Sequence, residues 1–388
     1  MWRRPIYALF LLVVAFIAAE VLLRLLDPFG IRVRGNHITL PRNVDHVWKN
    51  QKLPGVDTLI LMHRNGLGFR GPELPSDTTG VLRVLAVGGS TTECQYLSDG
   101  QDWPALMAAM LDEDIPSLWV NNAGLDGHST FGHHYLLKDL ALPLRPHVIL
   151  LLVGANEVGR DDIGWYDLVH VDNGRKAWDW AERCELIATW NALADASAAK
   201  RGRIRHEAIR PDQRSRRIQL GEPMVERALR REEPLIDRYA ERLKGLVQLC
   251  RAQGAEPVLI TQPCLFSSAI DPTTGLDLST LERNDSLNGA LVARKIALYN
   301  ERTKAMGKAL GAFTIDLATQ LPGNTRHFYD TYHFTKAGSA AVARLVTQAL
   351  IPYLSARYPQ HLKHGTRWTS LPTSGAFFGA GKSGGSPQ

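Results

Sequence analysis

The chain has 388 residues, of which 45% are apolar and 22% are charged, and its net charge is +6. These values are typical of a globular protein with one large domain or two small ones. The modest charge, much of it in one basic stretch, argues against dedicated nucleic-acid binding, and four widely spaced cysteines without a CxxC pattern argue against a structural zinc site.

The N-terminal segment, residues 1–27, begins MWRRPIYALFLLVVAFIAAEVLLRLL and is the most apolar part of the chain. Within it, residues 6–26 reach the roughly 20 residues that a bilayer requires. A membrane span of this length places Glu20 and Arg24 near the outer interface, where the two side chains can pair one helical turn apart. We therefore expect an N-terminal membrane anchor.

The charges that flank this segment predict its orientation. Arg3 and Arg4 should remain cytoplasmic, which places the rest of the chain on the extracytoplasmic (periplasmic or extracellular) side. A cleaved signal peptide also fits the length of the apolar run, although no A-x-A triplet follows it. A buried helix is the third interpretation, and the first two agree on export.

Beyond the N-terminal segment, the sequence predicts an irregular arm and then an alternating domain. Residues 28–80 are rich in Pro, Gly and Asn and show little periodicity. From residue 81, short apolar runs alternate with helical patterns. In chain order the predicted elements are strand 81–89, helix 103–113, strand 117–124, helix 133–144, strand 147–157, helix 236–254, strand 255–263, helix 288–311, strand 312–318 and helix 336–354. Apolar strands alternating with helices indicate a three-layer α/β/α fold over 81–355, with a five-stranded parallel sheet.

Two segments lack this alternation. The insertion at about 159–235 contains the densely basic run AKRGRIRHEAIRPDQRSRRIQ. It is interpreted as a solvated helical excursion, or alternatively as an anion-facing lid or a surface that contacts acidic lipids. The tail at 363–388 is rich in Gly and Ser, which predicts disorder.

Residues suited to acyl transfer follow the predicted strands. Ser90 follows the first strand, Gly124 the second and Asn156 the third, while Asp330 and His333 follow the fifth after a short loop. Each residue alone is explained by a helix cap or a turn. Ligand sites in parallel sheets lie at the carboxyl ends of the strands, so these residues should meet at one edge. Together they supply a nucleophile, a base, a carboxylate and amide donors, the set that acyl transfer requires.

These four blocks, in this order, resemble those of the SGNH (GDSL-type) hydrolase superfamily, whose fold is flavodoxin-like. The resemblance spans residues 81–355 and implies a catalytic triad of Ser90, Asp330 and His333. It also implies an oxyanion hole formed by the Ser90 and Gly124 N–H groups and the Asn156 amide. The nucleophile block reads GGST rather than GDSL, and the block GANE has Glu where the family usually has Asp.

The stretch GLGFRGPELP at 66–75, followed by GGSTTE, is similar to exported members of the superfamily that have an N-terminal anchor. The same GLGFRG formally matches a dinucleotide fingerprint, but PELPSD rather than a helix follows it, so we expect no cofactor. His133 and His134 lack a third ligand at suitable spacing, so no metal is expected there either.

The favoured function is a serine esterase or acylesterase that acts on an ester-bearing small molecule, lipid or glycan. Exported relatives include enzymes that add or remove acetyl groups on envelope polysaccharides, so an O-acyltransferase with the same triad is an alternative. A non-catalytic envelope-binding protein that retains the fold is the other. We expect contact with a membrane through the N-terminal helix and no contact with nucleic acid.

Overall fold

The computed structural model describes residues 3–26, 33–34, 37–50, 52–161, 184–190, 193, 206 and 208–363. Most of the basic insertion before residue 208 lies outside these ranges. So does the tail at 363–388 apart from its first residue. The predictions for those two segments therefore remain predictions.

The described strands and helices follow the predicted alternation. The strands are β1 Val33–Arg34, β2 His37–Ile38, β3 Val44–Lys49, β4 Leu59–Arg64, β5 Leu82–Gly88, β6 Leu118–Asn122, β7 Val148–Leu152, β8 Glu256–Ile260, β9 Glu282–Asn284, β10 Leu287–Asn288 and β11 Thr314–Ile315. The helices are α1 Arg3–Leu26, α2 Ser90–Glu93, α3 Trp103–Asp112, α4 Thr130–Leu136, α5 Glu222–Arg230, α6 Glu233–Ala252, α7 Gly289–Leu310, α8 Leu317–Gln320 and α9 Lys336–Arg357. Short 3-10 turns are Leu142–Leu144, Ala155–Glu157, Leu265–Ser267 and Pro359–His361.

The central sheet has five parallel strands in the order β6-β5-β7-β8-β11. Val84 of β5 lies opposite Val120 of β6 and Val148 of β7, so the first strand of the sheet has the second and third as its neighbours. The chain therefore reverses its direction of winding at β5. The predicted five-stranded parallel sheet is confirmed, and the carboxyl end of β5 is the place where such folds bind ligands.

The three predicted layers follow from side chains that alternate between two cores. In β5, Leu82, Val84 and Ala86 join one core, which α3 and α9 cover, while Leu85 and Val87 join the other, which α4 and α6 cover. All five residues of β7 are buried in the same alternating way. A strand that is apolar on both faces is stable only when a helical layer covers each face. This is why the apolar runs that form these strands have no polar face in the sequence.

Two elements differ from their predicted bounds. The fifth strand is only Thr314–Ile315, because at Asp316 the chain turns away and the carboxylate accepts from the Thr261 hydroxyl at 2.9 Å. The helix predicted at 133–144 begins earlier, where the Ser129 hydroxyl accepts from a main-chain N–H of the first turn. It then widens into a π turn and ends in a 3-10 turn at Pro143.

The arm before residue 81 is more regular than predicted. β1 pairs with β2, and β3 pairs with β4 in an antiparallel hairpin that places Val44 opposite Arg64. β4 buries every second side chain, Arg64 among them. Farther along, Arg70 exchanges two main-chain hydrogen bonds with Asn122, of 3.0 and 2.8 Å. The arm is thereby joined to the edge of the central sheet at the end of β6.

Among the described residues, one helix, α1, is long and apolar enough to cross a membrane. Signal sequences are also long and apolar enough. Its mean hydropathy is 2.7, and its apolar side chains are exposed. Glu20 and Arg24 form the expected pair at 2.6 Å. Glu20 also accepts from the main-chain N–H groups of Glu185 and Leu186, so α1 contacts the insertion.

Candidate active site

The turn after β5 holds Ser90 at the carboxyl edge of the sheet. Two glycines precede it, and close packing requires both of them. A Cβ on Gly88 would lie 2.6 Å from the Leu152 carbonyl oxygen, and one on Gly89 would lie 2.5 Å from the Asn156 amide nitrogen. The loop after β7 can therefore touch the start of α2, where the Ser90 side chain is 8% exposed.

A continuous chain of hydrogen bonds joins Ser90, His333 and Asp330. The Ser90 Oγ lies 2.6 Å from His333 Nε2, and His333 Nδ1 lies 2.7 Å from Asp330 Oδ2. Since a carboxylate only accepts, the Nδ1 carries the proton and the Nε2 accepts from the hydroxyl. Asp330 Oδ1 also accepts from the N–H groups of Tyr332 and His333, at 3.0 and 2.8 Å. The D-x-x-H turn therefore orients the imidazole locally.

The electrostatics of the pair keep Asp330 charged. Burial alone would raise the pKa of Asp330. The attraction of His333, together with the hydrogen bonds that the Asp330 carboxylate accepts, nevertheless holds this pKa below its usual value. Burial would lower the pKa of His333, whereas the negative charge of Asp330 raises it above the ordinary value. The imidazole is thus a stronger base than in water, as proton abstraction from a hydroxyl requires.

Three N–H donors on the nucleophile turn and the loops beside it are candidates for binding an oxyanion. The Asn156 amide donates one hydrogen to the His128 carbonyl oxygen at 2.8 Å, which leaves its other hydrogen for a ligand. Nothing in the described chain accepts from the main-chain N–H of Ser90 or of Gly127. Gly127 has a φ of +76°. The carbonyl oxygen of the next residue, His128, would lie 3.1 Å from a Cβ placed on Gly89. This loop therefore borders the nucleophile turn.

The predicted role of Gly124 does not fit the structure. Its N–H already donates to Asn122 Oδ1 at 2.9 Å. A Cβ on Gly124 would lie 2.2 Å from the Glu93 main-chain nitrogen, so this glycine allows the loop to pack against α2. Sequence reasoning did not single out Gly127, the second glycine of NNAGLDGHST, because the sequence does not show which of the two N–H groups is already bonded.

Glu157, where the family usually has Asp, supports the rim of the site. Its buried carboxylate accepts from the Thr130 N–H at 2.5 Å and from the Arg242 guanidinium at 3.0 Å. The longer side chain reaches the start of α4 as well as α6. The departure from the family pattern thus preserves the position of the neighbouring Asn156 without adding a catalytic group.

Two buried arginines of the arm hold the nucleophile helix from behind. Arg64 forms an ion pair with Glu93, and the second Glu93 oxygen accepts from the Asp126 N–H at 2.5 Å. Arg70 donates to the carbonyl oxygens of Glu93 and Cys94, at 2.6 and 3.0 Å. Both arginine side chains are at most 2% exposed. Sequence reasoning missed them because burial of a charge leaves no periodic signal.

His206, from the basic insertion, lies against the imidazole of His333. The two ring centroids are 4.0 Å apart. The His206 Nδ1 lies 2.9 Å from the Tyr329 hydroxyl, and its Nε2 lies 3.5 Å from Asp126 Oδ1. The insertion therefore contacts His333, and the aperiodic sequence did not indicate which of its residues does so.

Potential metal ligands come together at one place in the part of the chain that the structure describes. Asp126, His206 and His333 have ligand atoms within 4.8 Å of one another. The pair His133 and His134 is not part of this group: the first side chain is buried and the second is exposed.

Comparisons with known proteins identify the family of this chain. Residues 86–341 match the model of the GDSL-like Lipase/Acylhydrolase family. No curated protein matches the sequence. Similar solved structures include a GDSL-like lipase from Parabacteroides merdae, with 12% identity over 69% of this chain and 94% of that chain, and a TM-score of 0.40. Another is an acetylxylan esterase from Geobacillus stearothermophilus, with 14% identity over 71% and 97% of the two chains, and a TM-score of 0.40.

A GDSL-like lipase from Bacteroides thetaiotaomicron is 14% identical over 72% of this chain and 93% of that chain, with a TM-score of 0.39. At these scores the solved structures carry no argument about substrate. The family model covers well over half of the chain and includes Ser90, Asn156, Asp330 and His333. The predicted SGNH resemblance is confirmed, and the chain belongs to the GDSL-like lipase/acylhydrolase family of ester-bond hydrolases.

Proposed function

We propose that the protein hydrolyses carboxylic esters through a covalent acyl-enzyme on Ser90. The observation that carries the proposal is the unbroken chain from Asp330 through His333 to the Ser90 hydroxyl, with links of 2.7 and 2.6 Å. A structural role would need no such alignment, since a serine that only begins a helix has no use for an oriented imidazole.

In the proposed reaction, His333 Nε2 takes the hydroxyl proton as Ser90 Oγ attacks the ester carbonyl. The resulting oxyanion is bound by the N–H groups of Ser90 and Gly127 and by the Asn156 amide. His333 then returns the proton to the departing alcohol, which leaves the acyl group on Ser90. A water molecule that His333 deprotonates attacks the acyl-enzyme, and the carboxylic acid departs as Ser90 recovers its proton.

For the substrate, we propose acyl esters of the cell envelope, carried by glycans (as O-acetyl groups) or by lipids. The apolar helix α1 supports this proposal, because an N-terminal anchor would hold the site near such esters. Arg3 and Arg4 precede the apolar run and favour an extracytoplasmic catalytic domain.

The test compares the full-length protein in detergent with its Ser90→Ala variant on p-nitrophenyl esters of increasing chain length. We expect the variant to lose turnover by about 10⁴-fold or more with an unchanged melting curve, because only one small side chain is trimmed. Retained turnover would show that Ser90 is not the nucleophile. Adding sugar acceptors to the wild type separates hydrolysis from acyl transfer, since only a transferase consumes the donor faster when the acceptor is present.

A further inference from the structure

We propose that Asp126, His206 and His333 form a binding site for Zn²⁺, and that the ion blocks turnover when it is bound. The three side chains come from separate parts of the chain: the loop after β6, the insertion and the loop before α9. Their ligand atoms lie within 4.8 Å of one another. The binding half of this inference stands alone, while the blocking half rests on the proposed role of His333 as the base.

Both histidines are already held in the way that zinc-binding histidines are held. His333 Nδ1 is bonded to the Asp330 carboxylate at 2.7 Å, and His206 Nδ1 is bonded to the Tyr329 hydroxyl at 2.9 Å. Metal-binding histidines almost always donate their second ring nitrogen to such a partner, which fixes the tautomer and the ring. The Nε2 lone pair of His333 is the one that accepts from Ser90 Oγ, and an ion would take the place of that hydroxyl. At His206, donation from Nδ1–H to the Tyr329 oxygen leaves the lone pair on Nε2, and zinc binding selects that tautomer.

The ligand types and distances fit zinc. Two imidazoles and one carboxylate form a three-ligand zinc site with the fourth position open, whereas Ca²⁺ and Mg²⁺ prefer oxygen ligands alone. Zinc binds these atoms at about 2.0–2.2 Å, so a tetrahedral site separates its ligands by roughly 3.5 Å. Asp126 Oδ1 and His206 Nε2 already lie 3.5 Å apart. The ligand atom of His333 lies within 4.8 Å of these two atoms, so the remaining two distances have to shorten by at most about 1 Å. Side-chain rotation can supply a shift of this size.

The position is accessible to an ion from solvent. The side chains of Asp126, His206 and His333 are 40%, 14% and 17% exposed. The carboxylate supplies the negative charge that attracts a cation, while the two imidazoles are neutral at the pH at which they bind metal.

Occupation of this site has a direct chemical consequence. His333 Nε2 is the atom that takes the Ser90 proton in the proposed mechanism, and a zinc ion on its lone pair prevents that transfer. No bond of the protein is made or broken, so removal of zinc restores activity. The site therefore acts as a reversible zinc-dependent block.

Binding is measured first, by calorimetric titration of Zn²⁺ alone into the full-length Ser90→Ala protein, which retains all three ligands whether or not the wild type is active. We expect one ion per chain. In this background, His206→Ala and Asp126→Asn should each weaken zinc binding at least about tenfold, because even loss of an outer partner costs that much. His63→Ala is the matched control, since His63 forms a surface pair with Asp45 at 2.7 Å but, among the described residues, belongs to no group of three potential metal ligands.

Inhibition is measured second, on enzymes with Ser90 intact, each compared with itself before zinc and after chelation. Zinc should inhibit wild type and His63→Ala alike, and inhibit His206→Ala and Asp126→Asn only at correspondingly higher concentrations. Equal affinity in all four proteins overturns the site; if one variant fails to fold, the other decides. Binding with the expected ligand dependence but without inhibition overturns the block alone. Absence of any esterase activity counts against the proposed function and leaves the binding result to decide the site.

Discussion

Two regions outside the regular α/β alternation reach the proposed catalytic residues, and they do so in opposite ways. The arm before residue 81 reaches the nucleophile helix from behind, through Arg64 and Arg70, whose side chains are almost fully buried in ion pairs and main-chain hydrogen bonds. The insertion after β7 lies against His333 through the partly exposed ring of His206. The first contact is charged and buried, and the second is aromatic and partly exposed.

This difference predicts unequal consequences. Removing one partner of a buried ion pair leaves a desolvated charge, whereas exposed pairs contribute little because water screens them. The arm is thus expected to control both the stability of the protein and the shape of the loop after β6, which carries Gly127. The insertion is expected to control what reaches His333.

Glu93→Gln should have the largest effect on stability. Gln retains an acceptor for the Asp126 N–H but removes the carboxylate that pairs with the buried Arg64 guanidinium, so the free energy of unfolding should fall by about 3–5 kcal/mol. Turnover should fall with it, because the loop that carries Gly127 is attached to Glu93 through Asp126. Chemical denaturation and ester hydrolysis measure the two effects.

A matched pair of variants sharpens this prediction. Adding Arg64→Met to Glu93→Gln also removes the guanidinium whose buried ion pair has been broken, and should recover part of the lost stability. Glu226→Gln, which breaks the exposed pair with Arg230 in α5, should change the free energy of unfolding by less than about 1 kcal/mol. Equal losses from the buried and the exposed change would remove the distinction between the two regions.

Asn156→Ala tests the proposed oxyanion donors directly. Loss of one oxyanion donor should lower kcat by roughly 100- to 1000-fold while the fold persists. The Asn156 amide contacts the loop that carries Gly127 at the His128 carbonyl oxygen, so if Glu93 acts through that loop, the rate losses of Glu93→Gln and Asn156→Ala should not add in the double variant. An effect of Asn156→Ala on KM alone would assign the amide to substrate binding instead.

His206→Ala should have a smaller effect on the rate. The ring packs against His333 but bonds to neither Ser90 nor Asp330, so the loss corresponds to one aromatic contact of about 0.5–1.5 kcal/mol, or roughly 3- to 10-fold in kcat/KM. The melting curve should stay close to that of the wild type. A loss as large as that of Ser90→Ala would show that the insertion takes part in the chemistry.

The smallest effect is expected from the basic run. Arg216 is paired with Glu282 at 2.9 Å, and Arg217 donates to the Asp277 carbonyl oxygen at 2.7 Å, so part of this charge is already matched. Replacing Arg214, Arg216 and Arg217 with Ser should leave hydrolysis of a small neutral ester unchanged within about twofold. Salt-dependent loss of kcat/KM on an acidic polymeric substrate would assign the run to steering, and salt-dependent loss of liposome binding would assign it to the membrane.

The regular part of the fold was predictable because burial leaves a periodic pattern. The run HVILLLV has no polar face, and the structure buries β7 on both sides. The last strand was overestimated, since an apolar pattern does not reveal that Asp316 turns out of the sheet. The β3–β4 hairpin was missed because its alternation is short and because the outer face of β4 also carries apolar side chains, those of Leu59 and Leu61.

The candidate site was predictable where a reactive side chain directly follows a strand. Ser90 and Asn156 each follow a strand, and Asp330 and His333 share one turn, so their positions depend on local order. His206 approaches His333 from more than a hundred residues away in an aperiodic stretch, and only the tertiary structure brings them together. Arg64 and Glu93 are charged residues that the sequence alone would place at the surface.

The central claim, that Ser90 is the nucleophile activated by His333, is tested most directly by labelling with a fluorophosphonate and mapping the modified peptide by mass spectrometry. The account predicts one adduct per chain, on Ser90, absent from Ser90→Ala and formed far more slowly in His333→Asn. An adduct on any other residue, or labelling of Ser90→Ala at the wild-type rate, would contradict it.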